Sequence, residues 1–414
     1  MNLVTHSTKL GRQIALAAII VFSFGLAQAQ SPQPGSPDKP ARPLNMLVLG
    51  DSIAWGQGLK DEHKAWYQVK SWLKETTGRD VRERIEAHSG AVIGSTEEQH
   101  VITNPPLDGE VNRAVPTVNE QIDQALRSYA DASQVDLVLV DGCINDVDAR
   151  RLLNAVNTPD EIHRAAEAKC GGLVENLLMR LSATFPSAHV IVTGYYPIIS
   201  EESTNDFFMR ALAKRLYTPA AGAGPMNDKE LRARLIAISK AWYQASNHWL
   251  AVATSKVDAR QSANGSRQRV LFAPVAFLPE HCFRARESRL WGFDASFLRK
   301  VLVVLTLGKV GLRTNDERRN QRNASCKKIF TAPPGENKTE KTTRESRLML
   351  CRIAAIGHPN RKGAVMYAEA ISRQLQPLIP GSGWLKDTRT LATPSNPARK
   401  NERPQPAAPT SVAP

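Results

Sequence analysis

The sequence has 414 residues, 42% hydrophobic and 23% charged, the values of a globular chain long enough to bury a full core. They exclude a collagen, a long coiled coil and a mostly disordered chain. A net charge of +14 is partly local, since Lys309 to Arg347 holds eleven Lys and Arg against five acids. That stretch has almost no aromatic interleaving and no nucleic-acid module, so it reads as a solvated insertion and predicts no nucleic-acid partner.

Lys9 and Arg12 precede an apolar run from Ile14 to Leu26, and Ala27-Gln28-Ala29 follows. A positive start, a short apolar core and an A-x-A site predict a cleaved signal peptide over residues 1–29, hence a secreted or periplasmic protein. The run is short for a membrane span and no later segment is longer, so no stable membrane insertion is expected. The five cysteines include no C-x-x-C pair, which disfavours zinc ribbons and thioredoxin-type sites. An exported chain permits bridges, and an odd count leaves one thiol over.

Residues 30–43 are Pro-rich and read as a linker. Leu44 to Gly50 is an apolar run ending in glycine, a buried strand. His63 to Thr76 carries Trp66, Val69, Trp72 and Leu73 at helical spacing, and Val81 to Ala87 alternates as a strand. A helix is predicted over Pro116 to Ala130 and the clearest buried strand over Val135 to Val140. A long amphipathic helix over Pro159 to Thr184 precedes a strand at Ala188 to Thr193. A helix from Asp228 to Trp249 and a strand over Arg269 to Phe277 complete the alternation. Alternating elements imply right-handed crossovers and a mostly parallel five-stranded sheet covered on both faces, within one α/β domain over residues 44–380. Residues 279–350 read as a basic, irregular insertion, apart from the apolar patch Val301 to Leu307. Residues 381–414 read as a disordered Pro-rich tail.

Three short segments carry chemistry. Gly50-Asp51-Ser52 follows the first strand, where open α/β sheets place ligands, and a Ser there is a nucleophile if a base reaches it. Gly142-Cys143-Ile144-Asn145-Asp146 follows the third strand and offers a backbone N–H and an Asn amide, the donors that stabilise an oxyanion. His358-Pro359-Asn360 precedes the helix from Lys362 to Leu375, and a His so placed is a candidate general base.

Together these segments resemble the SGNH/GDSL hydrolase superfamily. The resemblance rests on Gly50-Asp51-Ser52-Ile53 with Trp55-Gly56, on Gly142-x-x-Asn145-Asp146, and on His358-Pro359-Asn360 with Gly363. The remaining signature glycine matches Gly90, with Gly94 as the alternative. The resemblance implies a flavodoxin-like three-layer α/β/α sandwich that hydrolyses esters with no metal and no cofactor. Carried over by position, Ser52 is the nucleophile and His358 its base. The Ser52 and Gly90 amides with the Asn145 side chain form the oxyanion hole, and Asp51 and Asp146 support the site.

One position departs from the family, which keeps an Asp three residues before the His, where this chain has Ala355. A backbone carbonyl, or a distant carboxylate such as Asp51, Asp146, Asp294 or Glu345, would have to orient His358, or activity would be weakened. The expected function is a secreted esterase or lipase acting on a small-molecule or polysaccharide ester. A carbohydrate O-acetyl esterase and a non-catalytic binding protein are the alternatives. Cys143 in the oxyanion loop is expected to bridge Cys170 in the following helix, and Cys326 to bridge Cys351, leaving Cys282 free.

Overall fold

The computed structural model describes residues 42–94, 115–206, 226–293 and 313–384, with 209–210, 213–214, 217 and 224. The expected signal peptide, most of the linker, the apolar patch at 301–307 and most of the tail lie outside the described residues.

Five strands form one all-parallel sheet: β1 (Leu44–Leu49), β2 (Val81–Ile85), β3 (Leu137–Val140), β4 (His189–Thr193) and β5 (Val270–Ala273), in the order β2-β1-β3-β4-β5. Every residue of β3 and β4 is buried, as continuous apolar runs require when both faces are covered. Leu49 pairs with Val140, and Val140 with Val192. The ends of the three central strands are therefore level, and the loops that follow them meet at one edge of the sheet.

The helices are the one-turn α1 (Ser52–Trp55), α2 (Ala65–Thr77), α3 (Val118–Leu126), the short α4 (Ile144–Val147), α5 (Pro159–Ala166), α6 (Val174–Thr184), α7 (Asp228–Ala263), α8 (Arg319–Ile329), α9 (Lys338–Arg352) and α10 (Arg361–Leu375). α10 packs against α2, β4 and β5, while α7 packs against α5, α6 and β5. Capping boxes start α3 at Thr117 with Glu120, α5 at Thr158 with Glu161, and α7 at Asn227 with Glu230.

Four expectations need correction. The helix predicted to end at Trp249 runs on to Ala263, because Leu250, Ala253 and Val257 continue its buried stripe. The predicted helix from Pro159 to Thr184 is interrupted by a π-helical segment, Glu167–Leu173, that contains Cys170. The fifth strand is only Val270–Ala273. The 279–350 segment is not irregular throughout, since it holds α8 and most of α9. Two interactions that polarity conceals order it. Arg322 is wholly buried against Asp316 and Thr314, and Cys326 is bridged to Cys351 with Cα atoms 5.9 Å apart.

Candidate active site

The turn after β1 is built around a close approach of two loops. Gly50 has φ +127°, and a Cβ there would lie 1.9 Å from an Asp141 carboxylate oxygen, so glycine is required. The Gln121 side chain on α3 accepts from the Gly50 amide at 2.8 Å and donates to its carbonyl at 3.0 Å. Asp51 then caps α1 by accepting from the Ile53 amide at 2.9 Å, which makes Ser52 the first helical residue. Asp141, just past β3, accepts from the Asp51 and Ala54 amides at 2.6 and 2.7 Å. Tyr195 donates to the second Asp51 oxygen at 3.1 Å. Burial pushes Asp51 up to about 6 and Asp141 well above the usual carboxylate range.

Across the cleft, His358 Nε2 lies 2.8 Å from Ser52 Oγ, although 306 residues separate them in the chain. The Trp291 amide donates to the His358 carbonyl at 2.7 Å and the Gly357 amide to the Trp291 carbonyl at 2.9 Å, which fixes the backbone that carries the imidazole. The other ring nitrogen, Nδ1, is buried and has no hydrogen-bond partner among the described residues. Desolvation lowers the His358 pKa to about 4, although the nearby Ala355 and Ile356 backbone pulls it partly back. Ala355 itself is fully buried, in a small apolar cluster with Leu59, Trp291 and Ala364.

The loops after β2 and β3 are stapled together. The Asn145 side-chain amide donates to the Ala91 carbonyl at 2.9 Å, and a primary amide has a second hydrogen for a further acceptor. Both Asp146 oxygens accept from the Ile93 backbone amide at 3.1 Å, and the Asn119 side chain donates through Nδ2 to the Ile93 carbonyl at 2.8 Å. Burial raises the Asp146 pKa. Gly90 sits in a turn at φ +88°, tied to β1 because the His88 amide donates to the Gly50 carbonyl at 3.0 Å. Cys143 adopts φ +109°, a strained conformation for a non-glycine residue, and its bridge to Cys170 with Cα atoms 5.2 Å apart pins that loop.

The structure thus brings Ser52 and His358 into contact and stitches the Gly90 and Asn145 loops to each other. Of the carboxylates considered as substitute acids, Asp51 and Asp146 are committed to backbone amides, Glu345 is exposed on α9, and Asp294 lies outside the described residues. None of the first three orients His358. Sequence reasoning missed Asp141, Gln121 and Tyr195. An acid directly after the buried strand ending at Val140 was the one available signal, and nothing in the sequence marks the other two.

An all-parallel sheet in which the Ser52, Gly90 and Asn145 loops follow the strands is the arrangement expected of an SGNH-type α/β hydrolase. Residues 48–249, just under half of the chain, match the GDSL-like Lipase/Acylhydrolase family, so this stretch is a domain of an ester-hydrolysing enzyme. No curated protein matches the chain. Among solved structures it is similar to an extracellular lipase from Streptomyces rimosus, at 15% identity and TM-score 0.35 over 61% of this chain and 89% of that one. It is also similar to a phospholipase A1 from Streptomyces albidoflavus, at 13% identity and TM-score 0.34 over 62% and 89%. A third is the SGNH-hydrolase family esterase AlinE4, at 13% identity and TM-score 0.25 over 55% and 97%. Likeness at this level says nothing about substrate.

Proposed function

We propose that the chain is an exported carboxylic-ester hydrolase in which Ser52 and His358 form a catalytic dyad. The observation that carries this reading is the 2.8 Å contact between Ser52 Oγ and His358 Nε2 at the ends of the sheet. With its pKa near 4, His358 is neutral at physiological pH, so Nε2 is free to take the Ser52 proton as Oγ attacks the ester carbonyl. The oxyanion then receives hydrogen bonds from the Ser52 and Gly90 amides and from Asn145, a set in which one donor is worth roughly 3–4 kcal/mol. His358 returns the proton to the departing alcohol, and a water, activated in the same way, hydrolyses the acyl-enzyme.

Among the described residues no carboxylate accepts from Nδ1, so the imidazolium formed in each step is stabilised chiefly by the Ala355 and Ile356 backbone, with a weaker contribution from Asp316. Turnover should be slow relative to a full triad, in which disabling the acid costs about 10⁴ in kcat. The two bridges support export, because such bonds persist in oxidising compartments. Among the described residues no helix is long and apolar enough to cross a membrane.

A fluorophosphonate probe tests the proposal. It should label the wild type at Ser52 and leave Ser52→Ala unlabelled and inactive but folded. Labelling elsewhere, or most activity surviving in Ser52→Ala, would remove the assignment.

A further inference from the structure

Residues 315–318, in the stretch that reads from sequence as a solvated insertion, are bonded to the chain on both sides of the dyad. On the nucleophile side, the Gln57 amide donates to the Ser52 carbonyl at 2.9 Å, and the following carbonyl, Gly58, accepts from the Glu317 and Arg318 amides at 3.0 and 3.3 Å. The Arg318 guanidinium donates to the Leu59 carbonyl at 3.3 Å. On the base side, the Asn315 amide donates to the Gly292 carbonyl at 3.1 Å, and the Asn315 side chain accepts from the Gly292 amide at 2.9 Å. Gly292 follows Trp291, whose backbone is bonded to the His358 segment.

Glu317 closes this brace with its side chain. Its carboxylate, only 8% exposed, accepts from the Lys60 amide at 2.8 Å, lies 2.9 Å from His63 Nδ1 and pairs with Arg361 Nε. Lys60 comes eight residues after Ser52, and Arg361 comes three after His358, at the start of α10. One carboxylate therefore joins the turn that follows the nucleophile to the helix that follows the base. Burial alone would raise the Glu317 pKa, but hydrogen bonds from Lys60, His63 and Arg361 more than offset it, so the group is ionised at neutral pH. Hydrogen bonds to an ionised acceptor are roughly twice as strong as those between neutral groups.

We propose that Glu317 is a positioning residue of the dyad: by clamping the turn after Ser52 to the first turn of α10, it keeps His358 Nε2 against Ser52 Oγ where no acid holds Nδ1. The proposal deepens the proposed function and rests on Ser52 and His358 being the reacting pair. Glu317 acts through backbone and neighbouring side chains rather than on the reacting atoms. A misplacement of about 1 Å caused far from the chemistry can cost about 10²-fold in rate. Such an error lowers kcat, because the ester is bound as before.

The test measures kcat and KM on a chromogenic ester, well below the unfolding midpoint of each variant. Glu317→Ala should lower kcat about 10²-fold and change KM less than about twofold, and its labelling by a fluorophosphonate should slow in parallel. Glu317→Gln keeps an acceptor for the Lys60 amide and should recover about tenfold of that loss. Arg361→Ala, which cuts the other end of the clamp, should lower kcat about tenfold. The double variant Glu317→Ala/Arg361→Ala should be no slower than Glu317→Ala alone, because both changes remove one link. Should Glu317→Ala not fold, Glu317→Gln takes its place in that comparison. Glu336→Gln removes an ion pair with Arg344 elsewhere in the same segment and should leave kcat unchanged. A folded Glu317→Ala with wild-type kcat, a loss confined to KM, equal losses in the Gln and Ala variants, or losses that multiply in the double variant would each overturn the clamp and leave the dyad standing. A wild type that neither turns over the ester nor is labelled at Ser52 removes the proposed function, and the clamp with it.

Discussion

Asn145 and Ala91 are joined by a 2.9 Å hydrogen bond that links the loop after β3 to the loop after β2, so the side chain proposed as an oxyanion donor also ties together the two loops that would form the hole. Replacing Asn145 with Ala removes one donor and loosens the Gly90 turn. We expect kcat to fall by about 10²–10³, the usual cost of one oxyanion donor, with a smaller change in KM. Steady-state kinetics on a chromogenic ester check this. An unchanged kcat would mean that the hole is built elsewhere.

The acid limb of the pH profile should lie unusually low. The base must be neutral to act, so activity is lost as pH falls through its pKa, which burial lowers to about 4 from the ordinary imidazole value. A profile of kcat/KM should remain flat from neutral pH down to about 5. An acid limb near 6.5 would show a solvated or acid-paired His358 instead.

Ala355→Asp would restore the acid that the family places three residues before its His. A carboxylate bonded to Nδ1 would favour the imidazolium, so the acid limb should move to higher pH and kcat should rise. The site is tight, because Ala355 is fully buried in a cluster with Leu59, Trp291 and Ala364. A stability loss of roughly 1–3 kcal/mol from burying a polar group should accompany the gain. Thermal unfolding and a pH profile measured on the same preparation separate the two effects. If neither the limb nor kcat changes, another group already orients His358.

The cysteines give a chemical test. Non-reducing peptide mapping should yield Cys143 linked to Cys170 and Cys326 linked to Cys351. Cys282 is buried, and desolvation pushes its thiol up to about 11, so it should resist alkylation until the protein unfolds. Each bridge closes a loop of 27 or 25 residues. Chain entropy assigns such loops roughly 3 kcal/mol each, so reduction should lower the denaturation midpoint. Rapid labelling of native Cys282, or a peptide joining it to another cysteine, would contradict the buried thiol.

Much of this protein is written locally. Runs such as Leu44 to Leu49 and Leu137 to Val140 have no polar face, so they specify strands buried on both sides and hence a parallel sheet. The residues with chemistry follow those runs directly, which is why Ser52 and Asn145 were legible at strand ends, while the bridges were expected from Cys143 in the loop before Asn145 and from Cys326 and Cys351 flanking the polar part of the insertion. Tertiary structure alone decided the rest. Whether the His358 imidazole reaches Ser52 depends on backbone bonds to Trp291, a residue whose own environment no window of sequence describes. Asp141 and Gln121 matter because two loops approach too closely for a side chain at Gly50, a constraint between segments about 70 to 90 positions apart. Arg322 looked like one more solvated charge in a basic run, yet it is buried on Asp316 and helps to order the segment that precedes His358, the proposed base. Local pattern encodes burial and direction because both are properties of neighbouring residues; contact across the chain is a property of the closed sheet, and it appears only once the sheet has formed.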